Sequence, residues 1–162
     1  MPRDAQRSKV YAAEKFVRTL FDRARARGNT IEFFGANITL PPEARFASVD
    51  SVSQYVDDVL NLPAVQRLWP DTQPLRVRSR RGRTAAHYER DGDEAVIAVP
   101  DGSTSWALRE LVVLHEIAHH LSPVEPAHGR AFVATFCDLA DAVMGPEVAH
   151  VLRVVYAKED VR

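Results

Sequence analysis

His115, Glu116 and His119 stand in the order His-Glu-x-x-His, and these residue types at this spacing suit metal-assisted hydrolysis. On a helix, residues four apart share a face with Cβ atoms about 5–6 Å apart. Two imidazoles so placed can each bring a nitrogen to about 2.0–2.1 Å from one zinc ion. Glu116 lies about 100° further round the helix. Its carboxylate then stands beside the metal, where it can take a proton from a water held there. Hydrolysis of an amide needs these parts together: a Lewis acid, a nucleophile available near neutral pH and a proton shuttle. Random shuffling of this composition produces the motif in roughly 1% of sequences.

A tetrahedral catalytic site takes a third protein ligand and leaves the fourth position to water. Four residues compete for it. His120 follows His119 directly and so projects about 100° away from it. Glu125 stands at the third-ligand spacing of metzincins, but Ser122 and Pro123 replace the glycine turn of that motif. Glu147 is a more distant carboxylate. His128 is favoured: it follows a short proline-containing turn and opens the next expected helix, four residues before Phe132 on the inward face. An antiparallel helix returning over the motif helix would carry His128 back to His115 and His119. The competing reading of His128 is an ordinary histidine at a helix end or on the surface.

The motif needs a helix to hold it, and the flanking sequence supplies one. Ser103 to Ser105 can cap a helix running to about Leu121. Its apolar residues, among them Leu108, Leu111, Leu114 and Ile117, fall on nearly all sides, as in a helix buried on most faces. Charged groups there are costly unless something satisfies them. Core histidines with satisfied hydrogen bonds would have to account for two imidazoles and a carboxylate at once, so the metal reading is preferred. Pro123 and Pro126 end this helix, and another runs from about His128 to Met144 before Gly145-Pro146.

Before the motif helix the apolar period changes. Leu75, Val77 and Ser79 alternate with Arg76, Arg78 and Arg80, which predicts a strand with one cationic face. Ala85–Arg90 and Glu94–Val99 flank Asp91-Gly92, a strong hairpin signal. Further upstream, Ser8–Arg27 and Asp50–Leu60 read as helices, with short extended pieces at Ile31–Phe34 and Ile38–Leu40 between them. Glu147–Lys158 reads as a helix, with a strand as its rival. The expected architecture is α+β: a small antiparallel or mixed sheet packed against the buried motif helix and further helices, in one domain over 1–162. Within it, 1–70 is a helical N-terminal part, 71–145 the catalytic core and 146–162 a C-terminal helix.

Length and composition agree with a single soluble domain. A chain of 162 residues buries about 70% of its unfolded surface. A net charge of −1 creates no overall field to recruit nucleic acid or membrane. No apolar run approaches the roughly 18 residues of a membrane span, and the charged N-terminal residues do not read as a signal peptide. The single cysteine, Cys137, excludes an intramolecular disulfide framework and a cysteine-based zinc cluster. These features point to a cytoplasmic protein without membrane partners.

His115-Glu-Ile-Ala-His119-His-Leu, followed after eight residues by His128-Gly-Arg-Ala-Phe132, resembles the zincin metallopeptidases with a downstream His-Gly-x-x-Phe. SprT-like proteins carry a similar segment that supplies the third zinc ligand, and the nearest resemblance is to small actinobacterial proteins described as metallohydrolases. The similarity spans about 85–137. It implies Zn²⁺ held by His115, His119 and His128, with Glu116 as catalytic base. It also implies a zincin-like fold whose edge strand can align an extended peptide or protein substrate. The chain has no four-cysteine zinc ribbon of the kind some SprT-like proteins carry, and 1–70 gain nothing from the comparison.

Other residues carry weaker signals. Arg76, Arg78, Arg80, Arg81 and Arg83 could contact phosphates weakly, although a charged, solvated strand edge is the commoner meaning of such a run. His87 or Tyr88 could hydrogen-bond a transition-state oxygen, and Tyr156, His150 and Arg130 are further candidates for that task without spacing in their favour. Asp138 or Asp141 could orient a ligand histidine, though either fits the polar side of an amphipathic helix. Glu110, on an apolar face, needs a partner the sequence does not name. The leading expectation is a zinc-dependent hydrolase acting on peptide or amide bonds. Its rivals are a nucleic-acid- or protein-binding module with a structural or vestigial zinc, and a protease of DNA-associated proteins that combines both.

Overall fold

Apolar residues at three-to-four spacing fold Arg7–Ala26 into α1, the first element of a computed structural model that describes residues 2–81, 85–101 and 108–162. Six helices and five strands follow one another among the described residues, an α+β composition. None of these helices is long and apolar enough to cross a membrane. The chain gathers into two compact units, one made of Met1–Glu43 with Pro123–Arg162, the other of Ala44–Ser122.

In the first unit, Val10, Val17 and Phe21 of α1 are buried, and Gly28 (φ 69°) with Asn29 (φ 68°) turns the chain out of the helix. Strands β1 (Thr30–Phe33) and β2 (Ala36–Thr39) then pair antiparallel with Phe33 opposite Ala36. Phe34 lies in the turn between them rather than in a strand. Phe34 (φ 47°) and Gly35 (φ 85°) both adopt the left-handed region that a two-residue hairpin loop requires. The unit is completed by α5 (Arg130–Met144) and α6 (Pro146–Lys158), packed on each other, with α6 also packed on α1. The segment from Glu147 is therefore helix, as its apolar residues Val148, Val151, Leu152 and Val155 require when all are buried together. Phe132, Phe136 and Leu139 of α5 and Leu152 of α6 are at most 1% exposed. Each such side chain contributes about 1.5–3 kcal/mol by leaving water.

The second unit holds α2 (Val49–Leu60), α3 (Pro63–Leu68), β3 (Arg76–Arg80), β4 (His87–Asp91), β5 (Glu94–Pro100) and α4 (Glu110–Leu121). Ser48 caps α2 in a reciprocal arrangement with Ser51, each side chain meeting the other's backbone N–H. α3 is a short helix with Pro63 in its first turn, where a missing N–H costs nothing. The sheet is mixed, in the order β3-β5-β4. The Gly92 hairpin joins β4 antiparallel to β5, and β3 lies parallel to the other edge of β5. The central position of β5 explains why its residues from Ala95 to Pro100 are all buried, whereas its neighbours are mostly exposed.

The motif helix starts later than the sequence suggests. Just before it, Arg109 is extended (φ −116°, ψ 152°) and bridges Arg45, while Phe46 donates its N–H to Leu108 O (2.9 Å) and Glu110 donates its N–H to Ala44 O (2.9 Å). These ties absorb backbone groups that an earlier helix start would have used, so α4 begins at Glu110. The expected cap at Ser103–Ser105, and Arg83 of the arginine run, lie outside the described residues.

Candidate metal centre

α4 carries His115, Glu116 and His119 within two turns, and the residues Leu111 to Ala118 are all buried. The Nε2 atoms of His115 and His119 lie 3.1 Å apart, with the two rings nearly perpendicular (74°). Two nitrogens at about 2.0–2.1 Å from a tetrahedral ion are separated by roughly 3.3–3.4 Å. The pair is therefore spaced to share one zinc ion with a shift of a few tenths of an ångström. Glu116, next in the chain, is 8% exposed.

The rest of the second unit fixes how this helix presents its pair. Glu110, at the first turn, accepts the N–H of Ala44 at Oε1 (3.0 Å) and the hydroxyl of Tyr55 at Oε2. These are the partners the apolar face lacked in the sequence. A carboxylate at a helix N-terminus also interacts favourably with the helix dipole. At the other end, His120 is occupied on both nitrogens. Its Nε2 lies 2.7 Å from the carbonyl oxygen of Gln73 and so must donate, which leaves Nδ1 to accept the Tyr88 hydroxyl at 3.0 Å. Burial lowers the pKa of His120, opposed by the bond to Gln73, and burial raises that of Tyr88 against the nearby Arg90. Tyr88 also lies nearly parallel to the ring of His119, with centroids 6.3 Å apart. Of the two strand residues proposed near the site, Tyr88 is the one tied to α4; His87 is exposed and lies 3.8 Å from Glu89.

His128 belongs to the first unit, two residues before α5 rather than within it. A tight turn sets it: Gly129 donates its N–H to Pro126 O at 2.9 Å. A Cβ on Gly129 would lie 2.9 Å from Pro126 Cγ and 3.1 Å from Pro126 O, so the turn has no room for a side chain there. The imidazole is buried, with its centroid 5.1 Å from that of Tyr11 and 5.2 Å from that of Phe132. Asp4 grips it twice, accepting the backbone N–H at Oδ1 (3.1 Å) and lying 2.7 Å from Nδ1 through Oδ2. A carboxylate on Nδ1 fixes the tautomer with its lone pair on Nε2, the form in which imidazole binds metals.

The remaining candidates are placed elsewhere. Glu125 and Glu147 are both exposed and lie off the motif helix. Asp138 pairs with Arg153 at 3.2 Å on the surface, and the carboxylate that holds His128 is Asp4 instead. Tyr156 is buried and donates to Glu14 (2.8 Å), while His150 and Arg130 are exposed. Cys137 is a buried free thiol whose pKa burial pushes up to about 12. Of the arginine stripe, Arg76 pairs with Glu94 (3.2 Å) and Arg78 with Glu89 (3.1 Å), both on the surface. Arg80 donates to Ala85 O. Asp4 is the residue that the sequence reading missed. It lies 124 positions from its partner in an N-terminal stretch with no motif, and no local pattern signals it.

No protein-family model matches this chain, and neither a curated protein nor a solved structure matches it.

Proposed function

We propose that the chain is a zincin-type zinc hydrolase cleaving peptide or amide bonds, with His115, His119 and His128 as metal ligands and Glu116 as general base. The observation that carries this reading is the 3.1 Å approach of the His115 and His119 Nε2 atoms on a buried helix. Two imidazoles in an apolar setting that direct the same atom at one point suit a shared cation. His128, itself buried, would add a third nitrogen ligand, and three histidines are a donor set suited to zinc. When bound, zinc supplies a Lewis acid that makes water nucleophilic near neutral pH and polarises the scissile carbonyl. Glu116 takes the proton of the attacking water and returns it to the departing amine. The substrate is a peptide or protein segment in extended form, a reading supported by the exposed, charged β4, which forms a sheet edge and packs on α4. A cytoplasmic setting belongs to the same proposal and draws on the single free cysteine.

Metal analysis of the purified full chain tests this directly. About one zinc per chain is expected, lost on His115→Ala or His119→Ala in protein that remains folded. A chain that takes up no zinc at saturating metal sinks the reading.

One observation favours a second reading, a nucleic-acid-binding module with a structural or vestigial zinc. An open depression of about 600 Å³ is lined by Arg78, Ser79, Arg80, Arg81 and Asp101. The ion pairs at Arg76 and Arg78 weaken that field, which is why it ranks second. Titration with DNA or RNA at two salt concentrations separates the two, because phosphate contacts impose a steep salt dependence. Absence of binding at low salt removes this alternative. A rise in cleavage of a bound protein on adding DNA would instead unite both activities.

A further inference from the structure

The N-terminal residues converge on one histidine. Asp4 uses both carboxylate oxygens on His128, one for the backbone N–H (3.1 Å) and one for ring Nδ1 (2.7 Å). Gln6 takes the carbonyl of the same residue, its Nε2 donating to His128 O at 2.8 Å and to Arg162 O at 2.9 Å, while its Oε1 accepts the Arg162 N–H at 3.0 Å. Every polar group of His128 except Nε2 is thus held by two residues from the start of the chain. The side chain of Asp4 is 26% exposed against 6% for His128, so the carboxylate screens the ring from solvent on the Nδ1 side.

We propose that Asp4 is the positioning residue that makes His128 a metal ligand. The proposal rests on the zinc reading above and adds to it a residue outside the His-Glu-x-x-His and His-Gly-x-x-Phe segments. Its physical basis is twofold. A carboxylate accepting from Nδ1–H holds the proton on that nitrogen and raises the basicity of Nε2, which strengthens a metal bond there. Anchoring the backbone N–H with the same carboxylate also removes rotational freedom about the side chain, so less entropy is lost when the metal binds. A purely structural strap would act through the backbone alone. Gln6, bonded to the carbonyl and not to the ring, is the internal control for that role.

The test is zinc affinity of the full chain, measured by competition with a chromophoric chelator, together with the visible spectrum of the cobalt-substituted protein and the thermal midpoint of the metal-free form. Asp4→Ala is expected to weaken zinc binding about 10–100-fold and to alter the cobalt bands. Asp4→Asn, nearly the same size, should also weaken it, because its NH2 replaces one of the two accepting oxygens and would face a donor N–H of His128. Gln6→Ala should lower the metal-free thermal midpoint while leaving zinc affinity near the wild-type value. Wild-type affinity in both Asp4 variants, or an equal loss in Gln6→Ala, overturns the assignment. His128→Ala separates the two levels of argument. If it loses affinity while the Asp4 variants do not, Asp4 falls and the zinc reading stands; if it binds as tightly as wild type, or the wild type takes up no zinc, both fall.

Discussion

The hydroxyl of Tyr55, on α2, donates to Oε2 of Glu110, the first residue of α4. The helix bearing the candidate ligands is thereby tied to its neighbour through a carboxylate that also receives the Ala44 N–H. Removing the phenol deprives a buried charge of one donor, and hydrogen bonds to charged groups contribute about 1.5–3 kcal/mol. Tyr55→Phe should lower the unfolding free energy by that amount in denaturant titrations. Its zinc content should stay at the wild-type level, since the ligands sit one and two turns further along. A loss below about 0.5 kcal/mol would show that the Ala44 bond alone suffices.

Glu116→Gln separates binding from chemistry. The amide keeps the size of the side chain and cannot accept a proton from water at neutral pH. Zinc content should match wild type, while turnover of a quenched-fluorescent peptide library drops about 10²–10⁴-fold, the usual worth of a positioned base. Retention of wild-type turnover would assign the base elsewhere.

Gly129 gives a third handle. An alanine methyl there would meet Pro126 at 2.9 and 3.1 Å, so the turn that places His128 has to open. Overpacking of this kind costs about 1–3 kcal/mol. Gly129→Ala should therefore lose both stability and zinc affinity, whereas Gly92→Ala, with nothing within 4 Å of its Cβ, should lose stability alone through its φ of 58°. Equal zinc affinity in the two variants would mean that the Pro126–Gly129 turn does not control His128.

What the sequence made legible follows the range of the interaction that decides it. Periodicity and stop signals placed α1, α2, α5 and α6 to within a few residues, because helix formation is local. The Asp91-Gly92 signal placed the β4–β5 hairpin for the same reason. The parallel pairing of β3 with β5 is non-local and has no such marker; β3 read alone as an amphipathic strand fits either orientation. The start of α4 was missed because Ala44, Arg45 and Phe46 pair with the residues just before it from more than 60 positions away. At the candidate site, His115, Glu116 and His119 stood out through their spacing. The partners that orient their surroundings did not: Tyr55 for Glu110, Gln73 for His120 and Asp4 for His128 are each supplied by a distant segment.

Tyr156 supplies a dependence on pH away from the candidate site. Burial holds its phenol neutral well above the usual value of 10.0, reinforced by the negative charge of Glu14, to which it donates at 2.8 Å. In the unfolded chain the same group loses its proton near pH 10. Above that pH the folded state binds more protons than the unfolded one, so the unfolding free energy falls as pH rises. The contribution is complete below about pH 10 and is lost as pH climbs towards the folded value. Tyr88, also raised by burial, adds a smaller effect of the same sign. Denaturant titrations from roughly pH 8 to pH 11 on wild type and Tyr156→Phe should show the variant less stable at the lower end by about 1.5–3 kcal/mol, the worth of a hydrogen bond to a carboxylate. The two curves should then converge as pH rises, because phenylalanine has no proton to lose. Curves that stay parallel to the upper limit would place the alkaline loss of stability in other groups and remove the Glu14–Tyr156 pair as its source.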